Sequence, residues 1–251
     1  MMKKRYKGAI SYRTDIGRVR INNEDQARAA INSQGDVLLI VCDGMGGQNK
    51  GDYASRLAVE TIIEAFRNKE MKGPLFFRKL WFEGIIKKAN SAIFDEAQKS
   101  DEYKDMGTTL VACYITGEKI IVFNIGDSRA YWLKNNRLER LSEDQTYVDY
   151  LYRTGKITKD ETMSHPDRHV LMNALGIYPS CSMDVKTYAY HGERVILCSD
   201  GLYNNVSETE ISQVVSTDER PDQKVSSLIN EANLNGGSDN IGIAYWEAFD
   251  D

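Results

Sequence analysis

Two blocks of short apolar runs, separated by one long stretch of helical periodicity, constrain the fold of this 251-residue chain more than any other feature. Apolar and β-branched runs bounded by turn residues predict strands at 7–14, 26–31 and 37–42, with Asn32-Ser33-Gln34-Gly35 as a hairpin turn. Helical spacing follows. Ala58, Ile62, Ala65 and Phe66 mark a first helix, and Phe77, Leu80, Trp81, Ile85, Ala89, Ala92 and Ile93 mark a second over 74–100. Strand signals return at 108–115, 119–124, 128–134 and 137–141, read as a meander joined by turns such as Thr116-Gly117 and Asn135-Asn136. A polar helical stretch over 144–164 precedes strands at 183–190 and 194–198, a helix at 221–235 and a last strand at 240–247.

Blocks of strands split by pairs of helices fit antiparallel sheets that bury one face on each other and the opposite face under helices. The expected class is α+β, a four-layer α-β-β-α sandwich of two antiparallel sheets flanked by helices, in a single domain over 1–251. A hydrophobic fraction of 41% and a charged fraction of 27% suit a globular chain with a sizeable core. The formal charge of -5 leaves no basic stripe that could follow a nucleic-acid backbone. No apolar run is long enough to span a bilayer, and the basic start of the chain precedes no secretory apolar region. A cytoplasmic monomer with no nucleic-acid or membrane partner is expected. Cys42, Cys113, Cys181 and Cys198 lack any C-x-x-C spacing, and three of them lie in apolar strands, so they read as core residues.

Three aspartates stand at the ends of apolar strands, each followed by a residue suited to a tight turn: Asp43-Gly44, Asp200-Gly201 and Asp239-Asn240. A glycine there is expected to let the backbone turn sharply and expose a carbonyl. Carboxylates converging on one rim repel one another unless cations neutralise them. Oxygen-only ligation favours hard cations, Mg²⁺ or Mn²⁺, over zinc. A single Asp-Gly pair taken alone reads better as a surface turn than as a metal ligand, so their company carries the weight. Two nucleotide-binding motifs fail on spacing: Asp52-Tyr53 follows Gly51 where a phosphate-binding loop needs Lys and Ser/Thr, and Gly44-Met45-Gly46 lacks the third glycine of a dinucleotide fingerprint.

Thr14-Asp15-Ile16-Gly17, followed by Arg20-Ile21-Asn22-Asn23-Glu24-Asp25, resembles the opening motif of the metal-dependent protein phosphatases, the family called protein phosphatase type 2C. The remaining motifs follow in family order: Val41-Cys42-Asp43-Gly44-Met45-Gly46-Gly47, Gly107-Thr108-Thr109, Ile125-Gly126-Asp127-Ser128-Arg129-Ala130-Tyr131, Leu197-Cys198-Ser199-Asp200-Gly201-Leu202 and Gly236-Gly237-Ser238-Asp239-Asn240-Ile241. The resemblance spans about Gly8 to Trp246 and is to the bacterial branch. It implies a serine/threonine phosphatase acting on phosphorylated proteins, among them a serine/threonine kinase and its substrates.

By that resemblance Asp43 bridges two Mg²⁺ or Mn²⁺ ions, the Gly44 carbonyl binds one, and Asp200 and Asp239 bind the other. Glu24 and Asp25 hold metal-bound waters. Arg20, four residues before Glu24, grips the substrate phosphate, for which a planar guanidinium fork is suited. Water between two cations ionises near neutral pH and attacks phosphorus in line, with no phosphoenzyme. Asp127 matches an aspartate that binds a third cation together with the Asp200 equivalent; the competing reading is a hairpin cap or a pair with Arg129. The third site is expected under a flap over 145–169, whose polar composition and Gly155 suit closure on a substrate.

Some positions depart from the family pattern. Met45 stands where some members carry a histidine general acid, Gln145 where histidine is common, and His169 and Asn173 where Asn and Arg are common. His165 is expected to order a loop and His191 to be solvated. Two rival functions use the same ligands: a non-catalytic module that binds phosphoproteins or a kinase, and a two-metal phosphodiesterase or nuclease. Retention of every metal aspartate and Arg20 argues against the first, and the missing basic track argues against the second.

Overall fold

A computed structural model describes residues 5–46, 50–70 and 72–249. The chain opens with strands β1 (Gly8–Asp15), β2 (Asp25–Ile31) and β3 (Val37–Met45) and continues into helices α1 (Lys50–Asn68) and α2 (Leu75–Ala97). Strands β4 (Gly107–Thr108), β5 (Leu110–Thr116), β6 (Lys119–Ile125), β7 (Arg129–Lys134) and β8 (Arg137–Arg140) follow. Short helices α3 (Tyr147–Arg153) and α4 (Lys159–Ser164) lead to β9 (Asp184–Ala189) and β10 (Arg194–Cys198). Helices α5 (Asp200–Tyr203), α6 (Glu208–Ser216) and α7 (Pro221–Leu234) precede the last strand, β11 (Ile241–Ala248).

The strands form two antiparallel sheets, one ordered β1-β11-β10-β7-β8 and the other β2-β3-β5-β6-β9, with β4 added to the end of β3. This is the expected four-layer sandwich. Its layers can be read residue by residue along β3, where side chains alternate between faces. Leu38, Ile40 and Cys42 join a core with Ala58, Ile62, Phe66, Phe82 and Ile86 of α1 and α2. Val37, Leu39 and Val41 face the opposite sheet and meet Val195, Leu197, Ala244 and Trp246. Ile196, Cys198, Ile243 and Tyr245 turn the other way, onto Val215, Leu228 and Ala232 of α6 and α7. Strands apolar on both faces are what a sheet needs when it is covered on both sides.

Two expectations need correction. The four strands of 108–141 are not one meander: β5 and β6 pair in one sheet, whereas β7 and β8 pair in the other. The chain changes sheet at Gly126-Asp127-Ser128, where Gly126 takes φ +91 and a Cβ would lie 2.7 Å from Thr109 Cγ2. Only glycine fits there without strain. Helix α6 is also absent from the periodicity reading, although its capping box is plain: the Ser207 hydroxyl accepts from the Glu210 N–H, and the Glu210 carboxylate accepts from the Ser207 N–H. Among the described residues no helix is long and apolar enough to cross a membrane.

Candidate metal centre and phosphate site

Strand β3 does not stop at Cys42; it runs on through Asp43 because β4 pairs with it, Gly44 opposite Thr108. Asp43 thus projects from inside a strand, Asp200 opens helix α5, and Asp239 stands ahead of β11. The glycines beside two of these aspartates do not make turns, since neither Gly44 nor Gly201 has a positive φ. They permit close backbone approach instead. A Cβ on Gly44 would lie 2.2 Å from the Gly51 carbonyl oxygen, and one on Gly201 would lie 1.9 Å from that of Asn240. Gly51 is equally constrained, with a Cβ placed 2.7 Å from Glu24 Oε2. Its place at the start of α1, not a phosphate loop, explains the glycine.

These elements surround a cleft of ≈ 500 Å³ lined by Arg20, Glu24, Asp43, Gly44, Thr109, Asp127, Asp200 and Asp239, with His169 and Leu171 also on its wall. A larger hollow of ≈ 770 Å³ between the β7–β8 hairpin and α6 holds one acid, Glu208, and one base, Arg137, and no convergent carboxylates. The smaller cleft holds the chemistry. Asp25 lies beneath it, 1% exposed, with Oδ2 accepting from the Ser199 hydroxyl at 2.6 Å and Oδ1 without a hydrogen-bond partner among the described residues.

Burial first, and then mutual repulsion, raises the carboxyl pKa values. Asp43 is raised well above its ordinary range by burial and by Asp25, Asp200, Asp127 and Asp239. Asp25 is raised by burial, against the pull of its Ser199 hydrogen bond. Asp127 is pushed up to about 7 by burial and then by Asp200, and Asp200 to about 6 by burial and then by Asp239. Glu24 is raised by burial, partly offset by the Gly51 N–H. Five crowded acids with an orphaned oxygen among them form a site that lacks positive charge, and an all-oxygen donor set fits a hard cation. Among the described residues no three His, Cys, Asp or Glu side chains converge tightly enough to hold an ion unaided. Backbone carbonyl and water must complete the ligands, as suits a cation that keeps its waters.

Arg20 supplies the nearest positive charge. Its Nη2 lies 2.7 Å from Asp239 Oδ2 while the side chain stays 54% exposed, and this hydrogen bond raises its pKa further. The arginine expected to grip phosphate is therefore at the cleft, engaged with an expected metal ligand. Asp127 lies there as well, and the pair with Arg129 does not form. Arg129 instead binds Asp144, with Nη2 at 2.6 Å from Oδ2, and stacks 3.5 Å from the Tyr203 ring centroid.

Residues that sequence reasoning left without a role fix this arrangement. The Asn240 amide donates to the Ile16 and Asn22 carbonyls and its oxygen accepts from the Glu24 N–H, clamping the loop that carries Arg20. The Thr108 hydroxyl and Thr109 N–H both donate to the Asp43 carbonyl, and the Asp43 N–H donates to the Thr109 hydroxyl. Two departures from the family pattern compensate each other: the Asn173 amide donates to Gln145 Oε1 at 2.8 Å, and Gln145 in turn holds the Gly126 N–H and Asn124 carbonyl. His169 accepts from Arg168 Nε at 2.9 Å. His165 accepts from the Asp167 N–H and so orders its loop, and His191 is exposed. Burial pushes the Cys198 thiol up to about 12 and raises that of Cys42, which disqualifies both as nucleophiles. Gly47, which closes the second motif, lies outside the described residues.

Residues 17–228 match the family described as Protein phosphatase 2C. The serine/threonine phosphatase stp of Listeria welshimeri is 37% identical over 235 residues, covering 92% of each chain. Protein phosphatase PhpP of Streptococcus pneumoniae is 32% identical over 236 residues, covering 94% of this chain and 95% of its own. Among solved structures, the S. agalactiae serine/threonine phosphatase superposes with a TM-score of 0.91 at 32% identity, over 97% of this chain and 100% of its own. The catalytic domain of the phosphatase PstP, solved in complex with 2 manganese ions, superposes at 0.84 with 30% identity over 97% and 99% of the two chains.

Proposed function

The chain belongs to the protein phosphatase 2C family, and on that premise we propose how its cleft removes phosphate from phosphoserine and phosphothreonine. It is a metal-dependent serine/threonine phosphatase whose substrates are phosphoproteins. We assign two Mg²⁺ or Mn²⁺ ions to Asp43, the Gly44 carbonyl, Asp200 and Asp239, with Glu24 and Asp25 reaching them through water. A third cation falls to Asp127 and Asp200. The observation that carries the assignment is the crowding of buried acids around an unpartnered Asp25 oxygen. The two manganese ions in the PstP catalytic domain support it.

Hard cations bound here lower the pKa of water and neutralise phosphoryl oxygens. The protein's own groups do the rest. Arg20, on a loop clamped by Asn240, offers a planar fork to two phosphate oxygens once Asp239 has another counter-charge. Ser199, itself held by the Gly242 N–H, donates to one Asp25 oxygen and leaves the second available to a metal-bound water. Met45 carries no proton, so the leaving alkoxide is not protonated from that position. Segment 145–169 acts as the flap, a role that suits α4, which buries none of its residues. The enzyme works as a cytoplasmic monomer opposite a serine/threonine kinase. Four free thiols suit a reducing compartment.

Hydrolysis of p-nitrophenyl phosphate with and without Mn²⁺, by the parent and by Asp43→Asn, tests the reading. Metal-dependent turnover that is lost in the variant supports it. Turnover that survives either metal removal or the substitution overturns it.

A further inference from the structure

The two carboxylates assigned to a third cation sit on different elements, and the sheet brings them only part of the way together. Strands β7 and β10 pair antiparallel from Arg194 with Leu133 to Cys198 with Arg129. Continued two residues beyond its last pair, this register places Asp200 opposite Asp127. The ladder stops short of them. The Ser199 N–H donates to the Gly242 carbonyl, so the chain follows β11 there and leaves β7, and Asp200 begins helix α5. The turn that carries Asp127 is tied elsewhere by its neighbours. The Gly126 N–H donates to Gln145 Oε1, and the Ser128 and Thr109 hydroxyls share a hydrogen bond of 2.7 Å. Neither bond reaches α5.

We propose that Tyr203 is a positioning residue that holds Asp127 against Asp200 and so sets the affinity of the third cation. Tyr203 stands three residues after Asp200, on the same side of the helical turn, and its hydroxyl donates to the Asp127 carbonyl at 3.2 Å. This hydrogen bond joins the Asp127 turn to the helix that carries Asp200. The Tyr203 ring has a second effect. Its centroid lies 3.5 Å from the guanidinium carbon of Arg129, whose Nε and Nη2 donate to Asp144 and whose Nη1 donates to the Tyr131 hydroxyl at 3.3 Å. An arginine two residues from Asp127 is its natural counter-charge. Engaged along its edges by Asp144 and Tyr131 and covered on one face by Tyr203, Arg129 leaves Asp127 to a cation. Tyr203 itself does not line the cleft; it stands on the wall of an adjoining hollow of ≈ 160 Å³, which shares Asp127 and His169 with the cleft. Its action on the metal therefore runs through Asp127. The role presupposes the third cation assigned to Asp127 and Asp200.

The test is calorimetric titration of the chelator-stripped protein with Mn²⁺, for the parent, Tyr203→Phe, Asp127→Ala and the double variant. Tyr203→Phe keeps the ring on Arg129 and loses only the hydroxyl. It should weaken the weakest Mn²⁺ site about threefold to tenfold while the two tighter sites stay within about twofold. In the Asp127→Ala background the same substitution should change Mn²⁺ binding no further. Excess Mn²⁺ should restore hydrolysis of p-nitrophenyl phosphate by Tyr203→Phe to the parent rate, which a merely structural tyrosine would not allow. A parent that binds only two Mn²⁺ ions would overturn the third-cation assignment and this role with it. A parent that binds three, with a Tyr203→Phe titration that superposes on it or weakens all three sites alike, would overturn the role of Tyr203 alone, as would hydrolysis that excess Mn²⁺ does not restore.

Discussion

Stripped of divalent cations, the protein should lose stability as pH rises through neutrality, and Asp127 should account for much of the loss. Its carboxyl is pushed from 3.8 up to about 7. A raised carboxyl pKa means that the fold favours the neutral form. Its stabilising contribution is complete below the unfolded value and disappears as pH rises through the folded one. Each pKa unit is worth ~1.4 kcal/mol, so the two units between about pH 5 and about pH 7 cost ~2.7 kcal/mol from Asp127 alone. For a chain of this size that lowers Tm by about 5–11 °C. Asp200, raised to about 6, adds ~1.4 kcal/mol over the first of those units. The assay is thermal unfolding in a chelator across this window, for the parent and Asp127→Asn. The variant should show a shallower decline and exceed the parent near about pH 8, and Mn²⁺ should restore the parent there by replacing the lost protons. A metal-free parent whose Tm is flat or rising over that window, or an Asp127→Asn curve as steep as the parent's, would refute the reasoning.

Three further outcomes are expected. Arg20→Ala should raise KM for phosphopeptides about tenfold or more with a smaller change in kcat, since a charge-assisted fork binds phosphate in ground and transition states alike; a change in kcat alone would give Arg20 another role. Asn240→Ala should cost about 1–3 kcal/mol in unfolding free energy and weaken Mn²⁺ binding measured by calorimetry, because it frees the loop from Ile16 to Glu24; unchanged metal affinity would make it purely structural. A double-mutant cycle on Gln145→Ala and Asn173→Ala should show a coupling of about 0.5 kcal/mol or more in stability, whereas strict additivity would mean that their 2.8 Å contact contributes nothing.

Much of the fold was legible because its central strands are apolar on both faces. The continuous runs 37–42, 110–115 and 195–198 admit no surface position, and with paired helical stretches they leave few alternatives to a covered double sheet. The aspartates were legible for the same reason, Asp43 and Asp200 as charges where such runs end and Asp239 as one just before a run begins. What could not be read was whatever depends on partners distant in the chain. The crossover at Gly126 looks locally like any hairpin, since only the pairing of β7 with β10 shows a change of sheet. Gly44 and Gly201 look like turn glycines until Gly51 and Asn240 are brought against them. The Asn240 clamp reaches back more than two hundred residues to Ile16, Asn22 and Glu24, and no local pattern records such a bond. Helix α6 is the exception, since the Ser207–Glu210 capping box was there to be read.

Crystals grown in Mn²⁺ and measured at the manganese absorption edge give the most direct test of the central assignment. The account predicts two strong anomalous peaks within ligand distance of Asp43, the Gly44 carbonyl, Asp200 and Asp239, and a weaker third between Asp127 and Asp200. Peaks elsewhere on the surface, with Arg20 still bound to Asp239 and the cleft free of manganese, would contradict it.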